Sequence, residues 1–206
     1  THLSWGAHRL YERLGYTDVY STPVSLRHIP KRRARVARRR KGYGWRIPTA
    51  RDAGQLEKLL SRATEDRIGF LPRSPGSLKA AFELGWRTPE KLRVLVSGHE
   101  RVGYANLGME DAWSATFNEV VVTGPEHIAP MLGALEAEAQ GRWLVLETTT
   151  FVHDASTLLR ERGFATYPVT HRTLMAKRLA GTSEHMEDLA ALCQSPLFSL
   201  HRSDMF

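Results

Sequence analysis

One ten-residue pattern occurs twice in this 206-residue chain, and no other feature constrains the fold as much. Residues 7–16 read AHRLYERLGY and residues 155–164 read ASTLLRERGF. At a constant offset of 148, Ala7 aligns with Ala155, Leu10 with Leu158 and Gly15 with Gly163, while Tyr16 is replaced by Phe164. A helical run that stops at a glycine and leaves on an aromatic is a common helix exit, because glycine takes the left-handed conformation that such a stop requires. The matched context strengthens the pairing. Each copy runs into an extended stretch carrying Pro-Val, at Pro23-Val24 and Pro168-Val169. The simplest account is a tandem protein in which only the last helix and strands of a first domain precede one complete second domain.

The rest of the chain falls into short punctuated elements. Residues 3–14 read as a helix, and residues 16–29 as extended. Trp45 to Ile47 is a short strand candidate, and Thr49 or Asp52 is placed to cap the helix that follows. Leu56, Leu59, Leu60 and Ala63 share one helical face. Gly69, Pro72, Pro75 and Gly76 make residues 65–76 a loop, and Ser77 to Leu84 a second helix. Strands are expected at Leu92–Val96, Val102–Leu107 and Phe117–Val122, the first two joined as a hairpin at Gly98. Pro130 is expected to open a helix with Met131, Leu132, Leu135 and Ala139 on one face. Arg142–Glu147 reads as a buried strand, 155–162 as a helix, 164–179 as extended and 184–193 as a final helix. For residues 43–179 the order is strand, helix, helix, three strands, helix, strand, helix, strand, which is a mixed α/β domain.

Composition excludes several classes. Apolar residues at 42% against 25% charged support a packed core and exclude global disorder. The longest apolar runs, such as Trp143 to Leu146, fall far short of the roughly 20 residues a membrane helix needs. The lone Cys193 allows no internal disulfide, and a reducing, cytoplasmic setting is expected. The start at Thr1 rather than Met leads us to expect further residues upstream. The net charge of +7 comes from one place: residues 31–41 read KRRARVARRRK, and outside them 21 basic residues face 22 acidic ones. The run contains no aromatic residue, so a solvated linker is the expected reading; phosphate contact with nucleic acid is the weaker alternative. His127, His153 and His171 lack metal-ligand spacing, so no metal is expected.

Four segments together resemble one family, the GCN5-related N-acetyltransferases. LYERLGY at 10–16 is similar to that family's closing helix-to-strand signature, and WRIPTARDAGQLEKLL at 45–60 to its first strand and helix. RVLVSGHERVGYANL at 93–107 resembles its second and third strands, and NEVVVTGPEH at 118–127 its fourth strand and the turn after it. The resemblance covers nearly all of residues 1–180. It implies the α/β (α+β) acyl-CoA N-acyltransferase fold, a mixed central sheet flanked by helices. It also implies transfer of an acetyl group from acetyl-CoA to an amine on a small molecule or a protein.

In the family the fourth and fifth strands part and hold the pantetheine arm, and the following helix N-terminus holds the pyrophosphate on unpaired N–H groups. On that pattern Val121 and Val122 would face the cofactor and Glu119 would be the base. Tyr11 would protonate the leaving thiolate. Where the family has an Arg and two glycines, this chain has Ile128, Ala129, Pro130 and Met131, and Gly133 alone stands at a matching place. Tyr11 of the first copy corresponds to Leu159 in the second. The division expected is a first-domain tail and basic linker at 1–41, a complete but degenerate domain at 42–180, and a helix and tail at 181–206. Two functions stay open: a tandem N-acetyltransferase whose first unit does the chemistry, and a non-catalytic binding or dimerisation module. A homodimer is a candidate assembly.

Overall fold

The computed structural model describes residues 2–31, 42–68, 73–146, 155–177, 184–195 and 198. The elements are α1 (His2–Arg13), β1 (Thr17–His28), β2 (Tyr43–Arg46), α2 (Ala53–Ala63) and α3 (Ser77–Glu83). They continue with β3 (Leu92–Ser97), β4 (Glu100–Glu110), β5 (Ser114–Val122), α4 (Ile128–Glu138), β6 (Trp143–Leu146), α5 (Ser156–Glu161), β7 (Ala165–Ala176) and α6 (Glu184–Gln194). This is a mixed α/β architecture around one seven-stranded sheet, in the order β2-β3-β4-β5-β6-β1-β7.

All neighbours in the sheet are antiparallel except β5 and β6, which run parallel, with Ser114 opposite Trp143 and Phe117 opposite Leu146. A parallel pair cannot be joined by a tight turn, and α4 supplies the crossover. Strand alternation then divides the core in two. Val120 and Val122 of β5 pack with Met131, Leu132 and Leu135 of α4 and Leu159 of α5. Val121, one step out of phase, packs with Tyr104 and with Leu56, Leu59 and Leu60 of α2 on the opposite face.

Asp52 fixes the start of α2. Its carboxylate accepts hydrogen bonds from the Thr49 N–H at 2.7 Å and the Thr49 hydroxyl at 3.0 Å. Arg46 of β2 clasps the same carboxylate through both guanidinium nitrogens at 2.9 Å, and Arg101 of β4 adds a bond at 2.7 Å. Arg46 first, with Thr49 and Arg101, holds Asp52 far below the usual carboxylate range although the side chain is buried. One acid thereby ties two strands to a helix start.

The repeated pattern marks two equivalent structural units. α1 ends at Arg13 and α5 at Glu161; β1 spans 17–28 and β7 spans 165–176, so every shared boundary keeps the 148-residue offset. Gly15 and Gly163 both adopt left-handed backbone, at φ of +86° and +77°. The bonds that close each helix also match. Gly15 N–H donates to Glu12 and Tyr16 N–H to Tyr11, at 2.9 and 3.0 Å; Gly163 donates to Arg160 and Phe164 to Leu159, both at 2.9 Å. These are the reciprocal 6→1 and 5→2 bonds of a left-handed helix stop. The two strands pair with each other antiparallel, from Thr17 opposite Ala176 to Leu26 opposite Ala165, with register shifts near the middle. An approximate two-fold axis therefore runs between them.

Several expectations need adjustment. β4 and β5 extend beyond the spans expected, because their outer halves pair with each other through Glu110 and Ala115. α4 begins at Ile128 rather than Pro130, after a single 3-10 turn at Pro125–His127, so Pro130 lies inside the first helical turn, where the missing N–H costs no intrahelical bond. β1 lies inside the same sheet as the elements of 42–180, between β6 and β7. The basic run 31–41 lies outside the described residues apart from Lys31. Among the described residues no helix is long and apolar enough to cross a membrane.

Candidate functional site

Two places carry the residues singled out from sequence: the end of β5 with the start of α4, and the buried face of β5 toward α2. Val121 and Val122 end β5, and neither has any exposed surface. Across the ladder Val122 faces Gly103 and Val121 faces Tyr104. Gly103 has to be glycine: a Cβ there would lie 2.7 Å from the Val121 carbonyl oxygen and 2.8 Å from the Met131 methyl group. The two valines thus fix β5 against α4 on one face and against α2 on the other. The paired stretch of β5 and β6 reaches Phe117 and Leu146. The parting of these strands expected near Val122 falls opposite residues 147–154, which lie outside the described residues.

Beyond Val122, Thr123 and Gly124 lead into the 3-10 turn and α4. Glu126 folds back there, its carboxylate oxygens 2.6 Å from where a Gly124 Cβ would be. His127 is bonded on both ring nitrogens: Nε2 faces Glu126 at 3.2 Å, and the Tyr43 hydroxyl lies 3.1 Å from Nδ1. Tyr43 belongs to β2, so the entrance to α4 is tied across the sheet. Gly133 is the sixth residue of α4, one turn and a half past its start, where its N–H bonds within the helix.

A pyrophosphate does not fit this helix start. Pro125 and Pro130 have no N–H to donate, and Glu126 holds a carboxylate beside Gly124, where phosphate oxygens would be repelled. No Lys or Arg occurs between Val122 and Arg142.

Glu119 lies fully buried on the β5 face toward α2. Arg73 binds it with both guanidinium nitrogens, at 3.2 Å to Oε1 and 2.7 Å to Oε2, and Arg87 reaches Oε2 at 3.5 Å. The Tyr104 hydroxyl donates to Oε1. Burial, and then the Glu119 charge, pushes the Tyr104 phenol well above its usual value, so it remains a donor at any physiological pH. Nη1 of Arg87 is buried and has no hydrogen-bond partner among the described residues. A buried carboxylate needs this kind of paired, bonded surrounding, since desolvation of a lone charge costs several kcal/mol. A base needs a free lone pair directed at its substrate, and here both carboxylate oxygens are held by donors.

Arg73 also borders a cavity of about 240 Å³ at the C-terminal end of α2, lined by Glu57, Leu60, Thr64, Glu65 and Arg67 among others. Glu57 fixes one wall: its carboxylate accepts the N–H groups of Gly76 and Leu78, at 2.9 and 2.6 Å, at the start of α3. The cavity contains residues of both charge signs and borders the loop read from sequence at 65–76. Tyr11 stands elsewhere, on α1. It is 46% exposed, and its ring packs edge-on against Tyr16 at 5.3 Å.

Sequence reasoning named Glu119 but missed Arg73, Arg87 and Tyr104. Two of these lie in or beside irregular segments with no periodic signal. Tyr104 looks like any strand aromatic until the register places it two residues across from Glu119. The tie between Tyr43 and His127 spans 84 residues of sequence.

No family model and no curated protein sequence matches this chain. Among solved structures it is similar to a GCN5-related N-acetyltransferase from Sphaerobacter thermophilus, at 20% identity and a TM-score of 0.43, over 79% of this chain and 53% of that one. It is also similar to one from Kribbella flavida, at 22% identity and a TM-score of 0.49, over 72% and 35%. A third, from Anabaena variabilis, matches at 14% identity and a TM-score of 0.49, over 77% and 40%. The chain spans about half the length of these structures or less.

Proposed function

We propose that the chain is part of a two-unit acetyl-CoA-dependent N-acetyltransferase, in which the unit closed by α1 and β1 carries the chemistry and residues 42–180 shape the acceptor side. The observation that supports this most is the matched pair of helix stops at Gly15 and Gly163, with Tyr11 in one and Leu159 in the other. The acceptor amine attacks the thioester carbonyl, the C–S bond breaks, and the departing thiolate takes a proton. Tyr11 offers that proton from the last turn of α1. Its equivalent in the second unit has no proton to give.

Glu119 is proposed to receive the acceptor's proton. To do so, Arg73 must swing off the carboxylate toward the cavity. Glu119→Gln separates a base from a structural anchor. A base predicts a kcat lower by roughly 10²- to 10⁴-fold in the protein that remains folded, in addition to the stability lost with the Arg73 and Arg87 ion pairs. An anchor predicts a loss of stability and no selective loss of kcat.

The experiment is steady-state acetyl transfer by the protein expressed from its complete gene, with Tyr11→Phe as the variant. The expected result is a fall in kcat of roughly 100-fold or more at unchanged KM. An unchanged kcat would remove Tyr11 from the chemistry.

A second reading is a non-catalytic binding or dimerisation module. The unfit start of α4, with Pro125, Glu126 and Pro130, favours it for residues 42–180 taken alone.

A further inference from the structure

The two-fold between β1 and β7 relates two units with identical helix stops but different surroundings. β1 pairs with β7 on one edge and with β6 on the other, where Ser25 to His28 face Leu146 to Trp143. The residues equivalent to Ser25–His28, 148 positions on, are Thr173–Ala176 of β7. β7 ends the sheet, and its outer edge has no partner among the described residues. The helices differ in the same sense. Leu159 of α5 is 4% exposed and packs beneath α4, whereas Leu10 and Tyr11 of α1 are 56% and 46% exposed, and Leu14 is 50% exposed.

The same symmetry operation accounts for both gaps. Applied to β6 and α4, it sets a β6-like strand along Thr173–Ala176 and an α4-like helix over Leu10 and Tyr11. We infer that the outer edge of β7 and the apolar face of α1 form one docking surface for a second α/β unit built like residues 43–146. That unit is carried on the same polypeptide, since a duplication that preserves a fixed offset lays its copies in tandem. The inference rests on the two-unit reading above and assigns the surface where the units meet.

A folded second copy of this chain does not fit the surface. Both edges of its β6 are already taken, by β5 and β1. The strand must come from a unit whose own closing helix and strand are α1 and β1. Chemistry on the surface agrees. An open strand edge offers backbone donors and acceptors that a partner strand satisfies, and the adjoining apolar side chains supply the hydrophobic part of the contact.

Amide hydrogen exchange on the 206-residue chain and on the protein expressed from its complete gene tests this. In the complete protein, exchange at Thr173–Met175 is expected to slow by roughly tenfold or more, because a paired edge opens less often than a free one. A Leu10→Cys thiol is expected to react with a maleimide in the short chain and to resist it in the complete protein; Cys193 is buried in the short chain. Equal exchange and equal labelling in the two proteins would overturn the inference, as would a gene that encodes no second unit. A dimer of the 206-residue chain with the same amides protected would assign the surface to a second copy and overturn it too. Acetyl transfer assayed on the same samples keeps the two readings apart. Transfer without protection rejects only the surface, and protection without transfer rejects only the chemistry.

Discussion

α5 with β7 and α1 with β1 are the same structural sentence in two contexts. Both helices close on a left-handed glycine with the same backbone bonds, and both strands are 12 residues long. Yet Leu159 is sealed under α4 while its counterpart Tyr11 lies open. The difference shows what each part of the motif does. Local backbone chemistry sets the helix stop wherever the sequence recurs. Burial comes from the neighbours: α4 covers Leu159, whereas among the described residues Leu10 and Tyr11 stay about half exposed.

That contrast can be broken or sharpened by substitution in the 206-residue chain. The largest effect is expected from Leu159→Ala, about 2 to 4 kcal/mol of lost stability in chemical denaturation, because it opens a cavity in the packed core. Leu10→Ala, one turn from its stop in the same way as Leu158, is expected to cost under about 0.5 kcal/mol. Comparable losses at the two sites would mean that α1 is packed more tightly than its exposure indicates.

Gly15→Ala and Gly163→Ala are expected to cost about the same, near 1 kcal/mol each, since both force a Cβ into left-handed backbone. An unequal pair would show that the two stops are not equivalent. A smaller contrast is expected between Arg162 and its counterpart Leu14; Arg162 reaches Glu136 at 3.2 Å and the Ala129 carbonyl at 3.1 Å. Arg162→Ala should cost roughly 0.5 to 1 kcal/mol. Its counterpart Leu14 has no such bonds, and Leu14→Ala should fall below measurement, at about 0.5 kcal/mol or less.

Much of this fold was legible because its signals are local. Gly15 and Gly163 announce helix ends by backbone preference, and the 3.6-residue spacing of Leu56, Leu59, Leu60 and Ala63 announces a buried helix face, as observed. The place of β1 was not legible. Its insertion between β6 and β7 is a pairing across 115 residues or more, which no short window contains. The Glu119 cluster was only half legible for the same reason. A strand glutamate is visible in the sequence, but the arginines that neutralise it come from a loop and from beyond α3. At α4, proline at position 130 suggested a helix start, but the preceding 3-10 turn already ran into helical geometry at Ile128.

The proposed contrast between the two units rests on the start of α4, where prolines and Glu126 stand in place of the donors a pyrophosphate needs. Titration of acetyl-CoA into the 206-residue chain by calorimetry tests it most directly. The account predicts no saturable heat up to millimolar ligand. Saturable one-to-one binding with a micromolar dissociation constant would contradict it and return the chemistry to residues 42–180.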